Sequence, residues 1–484
     1  VYLIAALVTL VASAGPTPML LGDGWEYYYQ VETLYSHASP EIRPEDEAHV
    51  RAACGRHGWK DDAPSAYAYF TARPNVPGPM YPLHFWAYAL SAVPARAILD
   101  RVGVDELACL QIVNVWWCLF GVTAILFFGS GSLFRRLVLA GLTAVGPPYF
   151  YWQYTGAELY TYGLMTAALV AVGRRWYPAA ALLAALASFQ NAPAGLLCGA
   201  AVLMAAAHRQ WRSAALTFVA AAVSFLPFIF YKTVFDNWNP LTGFTDTSRI
   251  SWVRAWSQVA DLNQGLLPYV PFLVILGALG VVGLALRRSV DGLLVAASLV
   301  GMSMVTQTHI NWNSATIGVQ RYLVWMLPVL AWLAVEGVWP NRWGRVALVI
   351  GIVAHALLME YNPGRGDGTH TPFTQWALDN HPQLYVEPEP EMFVERTLIR
   401  DGAEVVNGVP IYPRPPGQPP VLPFGYVAPD GRVTKLLVDA ESVERLPQRY
   451  EVTPEYLEEV RGRVAGRSRP IYVHPPPGAV RDRK

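Results

Sequence analysis

The sequence predicts an all-α polytopic membrane protein of about 11 transmembrane helices, followed by a small α+β extramembrane C-terminal domain. Three observations carry that expectation. The chain of 484 residues is 53% hydrophobic and only 15% charged, with 17 Trp and 25 Tyr, far less charge than a soluble domain of this size carries. Apolar stretches long enough to cross a bilayer recur along it, and arginine pairs mark alternate connections between them. The formal net charge is zero, so no clustered basic excess points to a nucleic-acid partner.

Residues 1–14 (VYLIAALVTLVASA) lack an initiator Met and read as a first helix entered partway, or as a signal segment ending in Ala12-Ser13-Ala14. Either delivers residue 16 onward to the non-cytoplasmic side. Candidate spans are 1–15, 107–128, 137–153, 157–173, 177–190, 193–207, 213–233, 266–286, 291–306, 322–339 and 346–361. With the first running outward, Arg135/Arg136, Arg174/Arg175, Arg209/Arg212, Arg287/Arg288 and Arg342/Arg345 all fall on the cytoplasmic side, as the positive-inside rule requires. The long connections 16–106, 234–265 and 307–321 and the tail from 362 then lie outside. The pair 177–190 and 193–207, joined at Gln190-Asn191-Ala192-Pro193, fits two tilted helices or a hairpin that dips partway. Counting 82–99 as a span would invert every later arginine loop, so it reads as a helix lying in the interface.

Domains of 1–361, transmembrane and including the outer loop 16–106, and 362–484, outside the membrane, follow. In the tail, KLLVDA (435–440) and PIYVHP (470–475) read as strands, and Thr453-Pro454-Glu455 opens a helix running toward Arg467. The four cysteines show no metal-type spacing, and Cys118 and Cys198 sit in apolar runs. No internal repeat is evident, which weakens a transporter of symmetric halves.

Polar chemistry concentrates in the first outer loop. Asp23 and Glu26, in Leu21-Gly22-Asp23-Gly24-Trp25-Glu26-Tyr27-Tyr28, stand where a lipid-linked sugar would present its anomeric carbon, the depth at which a general base is needed. The same pattern fits a capping box, with Asp23 as N-cap and Glu26 at the third helical position. Arg321, at the outer mouth of a span, suits a phosphate or an interface anchor. His309, Lys232 and Arg249 are further candidates for a donor-phosphate site, with a solvated loop position for His309 and ordinary surface charge for Lys232 and Arg249 as the alternatives. Tyr27, Tyr28, His84, Gln190, Asn191, Asn311 and Asn313 are candidates for sugar or acceptor contact, each also explicable as capping or solvated polarity. Glu45 and Asp46, in an acidic run, could hold a divalent cation or form solvated surface.

Asp23-Gly24-Trp25-Glu26-Tyr27-Tyr28, the acidic segment Pro44-Glu45-Asp46, Tyr81-Pro82-Leu83-His84 and the Gly-containing turn Arg101–Glu106 together resemble a bacterial branch of the GT-C superfamily of membrane glycosyltransferases. The resemblance covers the first third of the chain by motif and the rest by topology. Asp23 and Glu26, three apart, replace the adjacent Asp-Glu pair of other branches, which leaves open which of the two is the base. The resemblance implies an inverting transfer, metal-assisted or metal-independent, from a polyprenyl-phosphate-linked sugar to a hydroxyl of a glycan, lipid or protein acceptor. It also implies a bacterial inner membrane, with active face and C-terminal domain in the periplasm and membrane lipids as surroundings. A transporter or flippase of lipid-linked sugars, or a non-enzymatic scaffold, are the alternatives. No Gly-rich phosphate loop points to a nucleotide.

Overall fold

The computed structural model describes residues 23–56, 70–71, 80–239, 245–309, 319–361, 371–385, 393, 404–406, 409–411, 423–467 and 470–483. The expected first helix, Asn311 and Asn313 lie outside them. In chain order the helices are α1 (Gly24–His37), α2 (Pro44–Arg56), α3 (Ala87–Val102), α4 (Cys109–Phe128), α5 (Leu133–Ala144), α6 (Glu158–Gly173), α7 (Tyr177–Ser188) and α8 (Leu196–Ala207). Then come α9 (Trp211–Ala222), α10 (Leu226–Phe235), α11 (Trp252–Ala260), α12 (Pro271–Leu286), α13 (Val290–Thr306), α14 (Arg321–Val324), α15 (Leu327–Val338) and α16 (Arg342–Tyr361). The last three are α17 (Pro372–Asn380), α18 (Leu446–Arg449) and α19 (Pro454–Val464). The chain forms two compact units, 1–248 with 270–308 and 321–357, and 249–269 with 309–320 and 358–484.

The first unit is helical. Among the described residues four stretches are long and apolar enough to cross a membrane: Glu106–Phe128, Trp211–Phe235, Arg321–Val338 and Arg342–Met359. Their surroundings differ. Arg321–Val338 is mostly enclosed by protein, whereas Trp211–Phe235 exposes Trp211, Leu216, Phe218 and Val219. An apolar face of that extent is a liability in water and ordinary against lipid, and the chain is a helical membrane protein. Where α12 crosses α15, a Cβ on Gly337 would meet the Gly280 carbonyl at 2.1 Å, the close backbone approach that small residues allow in bilayers.

One expected span changes. The stretch 137–153 is helical only to Ala144, and Pro147–Trp152 is a separate 3₁₀ turn. Pro147 and Pro148 supply no N–H, and the residue before a proline is steered away from the helical region; Gly146 accordingly adopts a positive φ of 133°. The pair at 177–207 resolves as two 12-residue helices, α7 and α8, joined through a 3₁₀ turn.

Three arginine connections share one geometry. After α6, α8 and α12, residues Arg175, Arg209 and Arg288 adopt φ of 58°, 58° and 53°, and paired backbone bonds close each helix end, as in Arg175 N–H to the Val172 carbonyl and Trp176 N–H to the Ala171 carbonyl. These two hydrogen bonds form a Schellman cap, whose left-handed position is usually glycine. Neighbouring arginines cap other helices. Arg174 donates to the Phe128 and Gly129 carbonyls, Arg136 to that of Leu126, and Arg287 to those of Glu336 and Gly337.

The second unit holds a three-stranded antiparallel sheet of β1 (Phe424–Val427), β2 (Val433–Val438) and β3 (Ile471–Val473), in the order 1-2-3. The two expected strands are β2 and β3, and the expected helix is α19, with Thr453 as N-cap residue and Pro454 at its first position. Every residue of β2 is buried. Leu436 and Val438 pack with Tyr456, Val460 and Val464 of α19, while Lys435 lies among the rings of Tyr385, Phe393 and Tyr472, 4.7 to 5.3 Å from their centroids.

Candidate active site

Helix α1 begins at a close approach. A Cβ on Gly24 would stand 2.0 Å from Thr155 Oγ1, and one on Gly156 would stand 2.2 Å from Glu158 Oε2 and 2.3 Å from the Tyr154 ring. Both positions therefore need glycine, and Gly24 lets the start of α1 lie against Thr155 of the Tyr154–Glu158 segment. Asp23 ends up facing it.

Asp23 does not cap its helix; its side chain makes no N-cap hydrogen bond. Instead Arg321 Nη1, from the start of α14, donates to Asp23 Oδ2 at 2.8 Å and to the Tyr154 hydroxyl at 3.1 Å. Nη2 donates to the Tyr322 hydroxyl at 3.2 Å, with the guanidinium 5.1 Å from that ring. Nε lies 3.7 Å from Glu158 Oε1, too far for a hydrogen bond. Among the described residues, buried Arg321 Nε and Glu158 Oε2 have no hydrogen-bond partner. The Asp23 and Arg321 side chains are 12% and 15% exposed, so the pair is sheltered yet reachable.

Glu26 does not complete a capping box either. Its Oε1 accepts from the His84 backbone N–H and its Oε2 from the His84 ring Nδ1, both at 2.6 Å. Gln30, one turn on, donates to the His84 carbonyl at 2.7 Å. The Tyr27 hydroxyl donates to Gln190 Oε1 at 3.3 Å, and Gln190 donates to the Phe85 carbonyl. Positions 23, 26, 27 and 30 form one helical face, which grips the His84–Phe85 segment and the connection after α7. Burial pushes the Glu26 carboxyl up despite the pull of His84. For His84, burial acts downward, but the Glu26 and Asp23 carboxylates outweigh it and raise the imidazole to about 9.

The structure thus joins Asp23, Glu26, Tyr27, His84, Gln190 and Arg321 around one helix face. Asn191 is adjacent in the chain and donates to Thr161 Oγ1 at 2.7 Å. Tyr28 is fully buried and turned to the face it shares with Glu32. Lys232 pairs with Asp236 on an exposed surface. His309 and Arg249 belong to the second unit, where the His309 carbonyl accepts from Arg254 at 2.7 Å. Of the candidate cation ligands, Glu45 is exposed, while Asp46 Oδ2 accepts from the Arg43 N–H at 2.9 Å and contacts His37 Nε2 at 3.0 Å. Among the described residues, no group of three or more His, Cys, Asp or Glu is arranged to hold a metal ion. Sequence reasoning missed Glu158 and Tyr154. A signal for Glu158 existed, because it is the one carboxylate between Glu106 and Asp236, and an isolated ionisable residue in apolar sequence marks a functional position by default.

No protein-family model and no curated protein matches the sequence. Two solved structures are similar to the chain. One is the archaeal oligosaccharyltransferase AglB from Archaeoglobus fulgidus in complex with an inhibitory peptide and a dolichol-phosphate, with TM-score 0.47, 14% identity, and 80% of this chain and 59% of that one covered. The other is the Archaeoglobus fulgidus oligosaccharyltransferase in the apo form, with TM-score 0.46, 13% identity and the same coverage. The chain spans about six-tenths of the length of these enzymes.

Proposed function

We propose that this protein is a GT-C-type glycosyltransferase that moves a sugar from a polyprenyl-phosphate donor to an acceptor hydroxyl on the non-cytoplasmic face of the membrane, with Asp23 as general base. The observation that carries this reading is the sheltered Asp23–Arg321 contact, 2.8 Å long between residues almost 300 positions apart. It pairs a proton acceptor with a guanidinium that still has a free donor in Nε. Transfer from a phosphate-linked sugar needs both, a base for the incoming hydroxyl and a cation for the departing phosphate.

The geometry also suggests an order of events. While Arg321 holds Asp23, the carboxylate is occupied. A donor phosphate that engages Nε and Nη2 draws the guanidinium toward itself, and Asp23 is released to accept a proton as substrate arrives. The proton of the acceptor hydroxyl passes to Asp23, the oxygen bonds to the anomeric carbon, and the bond to phosphate breaks with its electron pair left on the phosphate. Glu26, fixed by His84, supports the position of Asp23 without competing for that proton. The five arginine connections support an orientation with the outer loop and the 362–484 segment outside the cytoplasm.

The test is transfer by purified protein in bilayers, using a polyprenyl-phosphate sugar of defined headgroup and detecting the released polyprenyl phosphate. Asp23→Asn should retain donor binding and lose release, while Glu26→Gln should retain measurable release. Release undiminished in Asp23→Asn removes Asp23 as base. Donor crossing the bilayer unconsumed would move the assignment to a flippase.

A further inference from the structure

Helix α11 is amphipathic the wrong way round for a soluble protein. Its polar side chains Arg254, Ser257 and Gln258 are 1%, 4% and 3% exposed, whereas Trp252, Val253 and Trp256 are 80%, 51% and 52% exposed. The buried polar seam is built. Arg254 reaches the His309 carbonyl at 2.7 Å, Asp261 Oδ1 accepts the N–H groups of Asn263 and Gln264 at 2.8 Å each, and the Gln264 carbonyl accepts from the Gln320 N–H at 2.8 Å. Helix α17, in the same unit, repeats the arrangement with Thr374 and Ala377 buried while Phe373 and Trp376 stand exposed and stacked at 5.9 Å. The two are neighbours, since Thr371 N–H donates to Asn263 Oδ1 at 3.0 Å and Thr374 Oγ1 to the Leu262 carbonyl at 2.8 Å.

We propose that α11 and α17 form an aromatic foot that sits in the interfacial zone of the bilayer, with Trp252, Val253, Trp256, Phe373 and Trp376 among the headgroups and upper acyl chains. This rests on the reading of the chain as a membrane protein and is independent of its chemistry. Tryptophan carries an apolar body with one polar N–H, which suits headgroup depth. Helix α11 is also tethered next to apolar sequence. It lies in the connection between two apolar helices, and Leu267 N–H bonds back to the Val259 carbonyl, leaving only Pro268, Tyr269 and Val270 before α12 starts at Pro271. No carboxylate interrupts residues 247–260, so nothing there opposes approach to anionic headgroups.

The experiment places an environment-sensitive fluorophore at Val253→Cys and Phe373→Cys of the full chain in bilayers, leaving the three tryptophans intact, with labelled wild type as baseline. Phe218→Cys, on the exposed face of α9, is the reference position. Lipids brominated near the headgroup should remove most of the emission at 253 and 373, and deeper bromination should remove most of it at 218. Emission at 253 and 373 that is quenched by aqueous iodide and not by brominated lipid overturns the proposal, as does protection from both quenchers with crosslinking between copies. If position 218 is itself untouched by brominated lipid, the membrane reading fails; if 218 responds and 253 and 373 do not, only the foot does.

Discussion

Helix α1 carries a carboxylate–arginine pair on each of two faces, and the two are built differently. Glu32 accepts from Arg96 Nε at 2.6 Å and Nη2 at 3.2 Å, His49 approaches the same carboxylate at 3.2 Å, and Arg96 Nη1 lies 3.5 Å from Asp100. Every nitrogen of that guanidinium faces an acid. Arg321 reaches Asp23 through Nη1, and its Nε is left without a hydrogen bond beside Glu158. A pair whose task is to fasten helices gains from saturating its donors, because an unmatched buried charge is costly. A pair that must exchange one anion for another gains from a spare donor.

Neutralising the carboxylates should separate the two designs most sharply. Asp23→Asn is expected to lower turnover by about 1,000-fold with little change in unfolding temperature. Glu32→Gln leaves Arg96 short of its anion and should cost about 3 kcal/mol of stability, with turnover per folded molecule preserved. Thermal unfolding alongside transfer rates checks both, and a stability loss confined to Asp23→Asn would reverse the assignment of roles.

Replacing each arginine by lysine sharpens the same contrast at smaller cost. Arg321→Lys keeps a single contact to Asp23 but cannot offer parallel donors to phosphate, so turnover should fall roughly 100-fold and stability should hold. Arg96→Lys loses one charge-assisted hydrogen bond and should destabilise by about 2 kcal/mol. If Arg321→Lys turns over normally, the guanidinium is an anchor and not a phosphate ligand.

The close approach that seats Asp23 can be perturbed without touching any charge. Gly24→Ala puts a methyl 2.0 Å from Thr155 Oγ1, and overpacking of this kind costs about 1–3 kcal/mol. Turnover should fall with it as α1 moves away from Arg321. Thr155→Ala in the same chain removes the nearest atom, leaving the next, the Thr155 Cβ, at 3.1 Å, and should restore part of both. An equal penalty in single and double variants would show that the Thr155 hydroxyl is not what the added methyl meets.

The sequence makes the helices and half of this site visible, for reasons that differ by element. Apolar runs and arginine spacing locate α4, α6 and α12 to α16 because lipid-facing helices must hide their own backbone. The run 137–153 misled because hydropathy ignores the break that Pro147 and Pro148 impose on α5. Asp23 and Arg321 could each be proposed from position at an outer helix end, and the structure brings them to 2.8 Å. Tyr154 gave no such sign, since aromatic residues abound in apolar sequence, and its role emerges only where Arg321 reaches it. The Glu32–Arg96–His49 network was invisible because its members lie on three helices at separations no local pattern records.

Acidity distinguishes the two faces in a last, smaller effect. His84 is raised to about 9 from an ordinary 6.5, so the stability it lends through Glu26 is fully present below about pH 6.5 and is lost as pH climbs through 9. His49 is raised as well, chiefly by its hydrogen bond to Glu32, with the same sign, but its side chain is 44% exposed and solvent screens the gain. Glu32 runs the other way. Hydrogen bonds from His49 and Arg96 outweigh its burial and hold it low, so its contribution is present above its ordinary value of 4.5 and fades as pH drops through the depressed one. Wild-type unfolding temperature should therefore decline between pH 6.5 and 9, and His84→Asn should flatten that decline more than His49→Asn does. If His49→Asn has the larger effect, the alkaline loss belongs to the Glu32 network, and the Glu26–His84 contact is not what steadies the Asp23 face of α1.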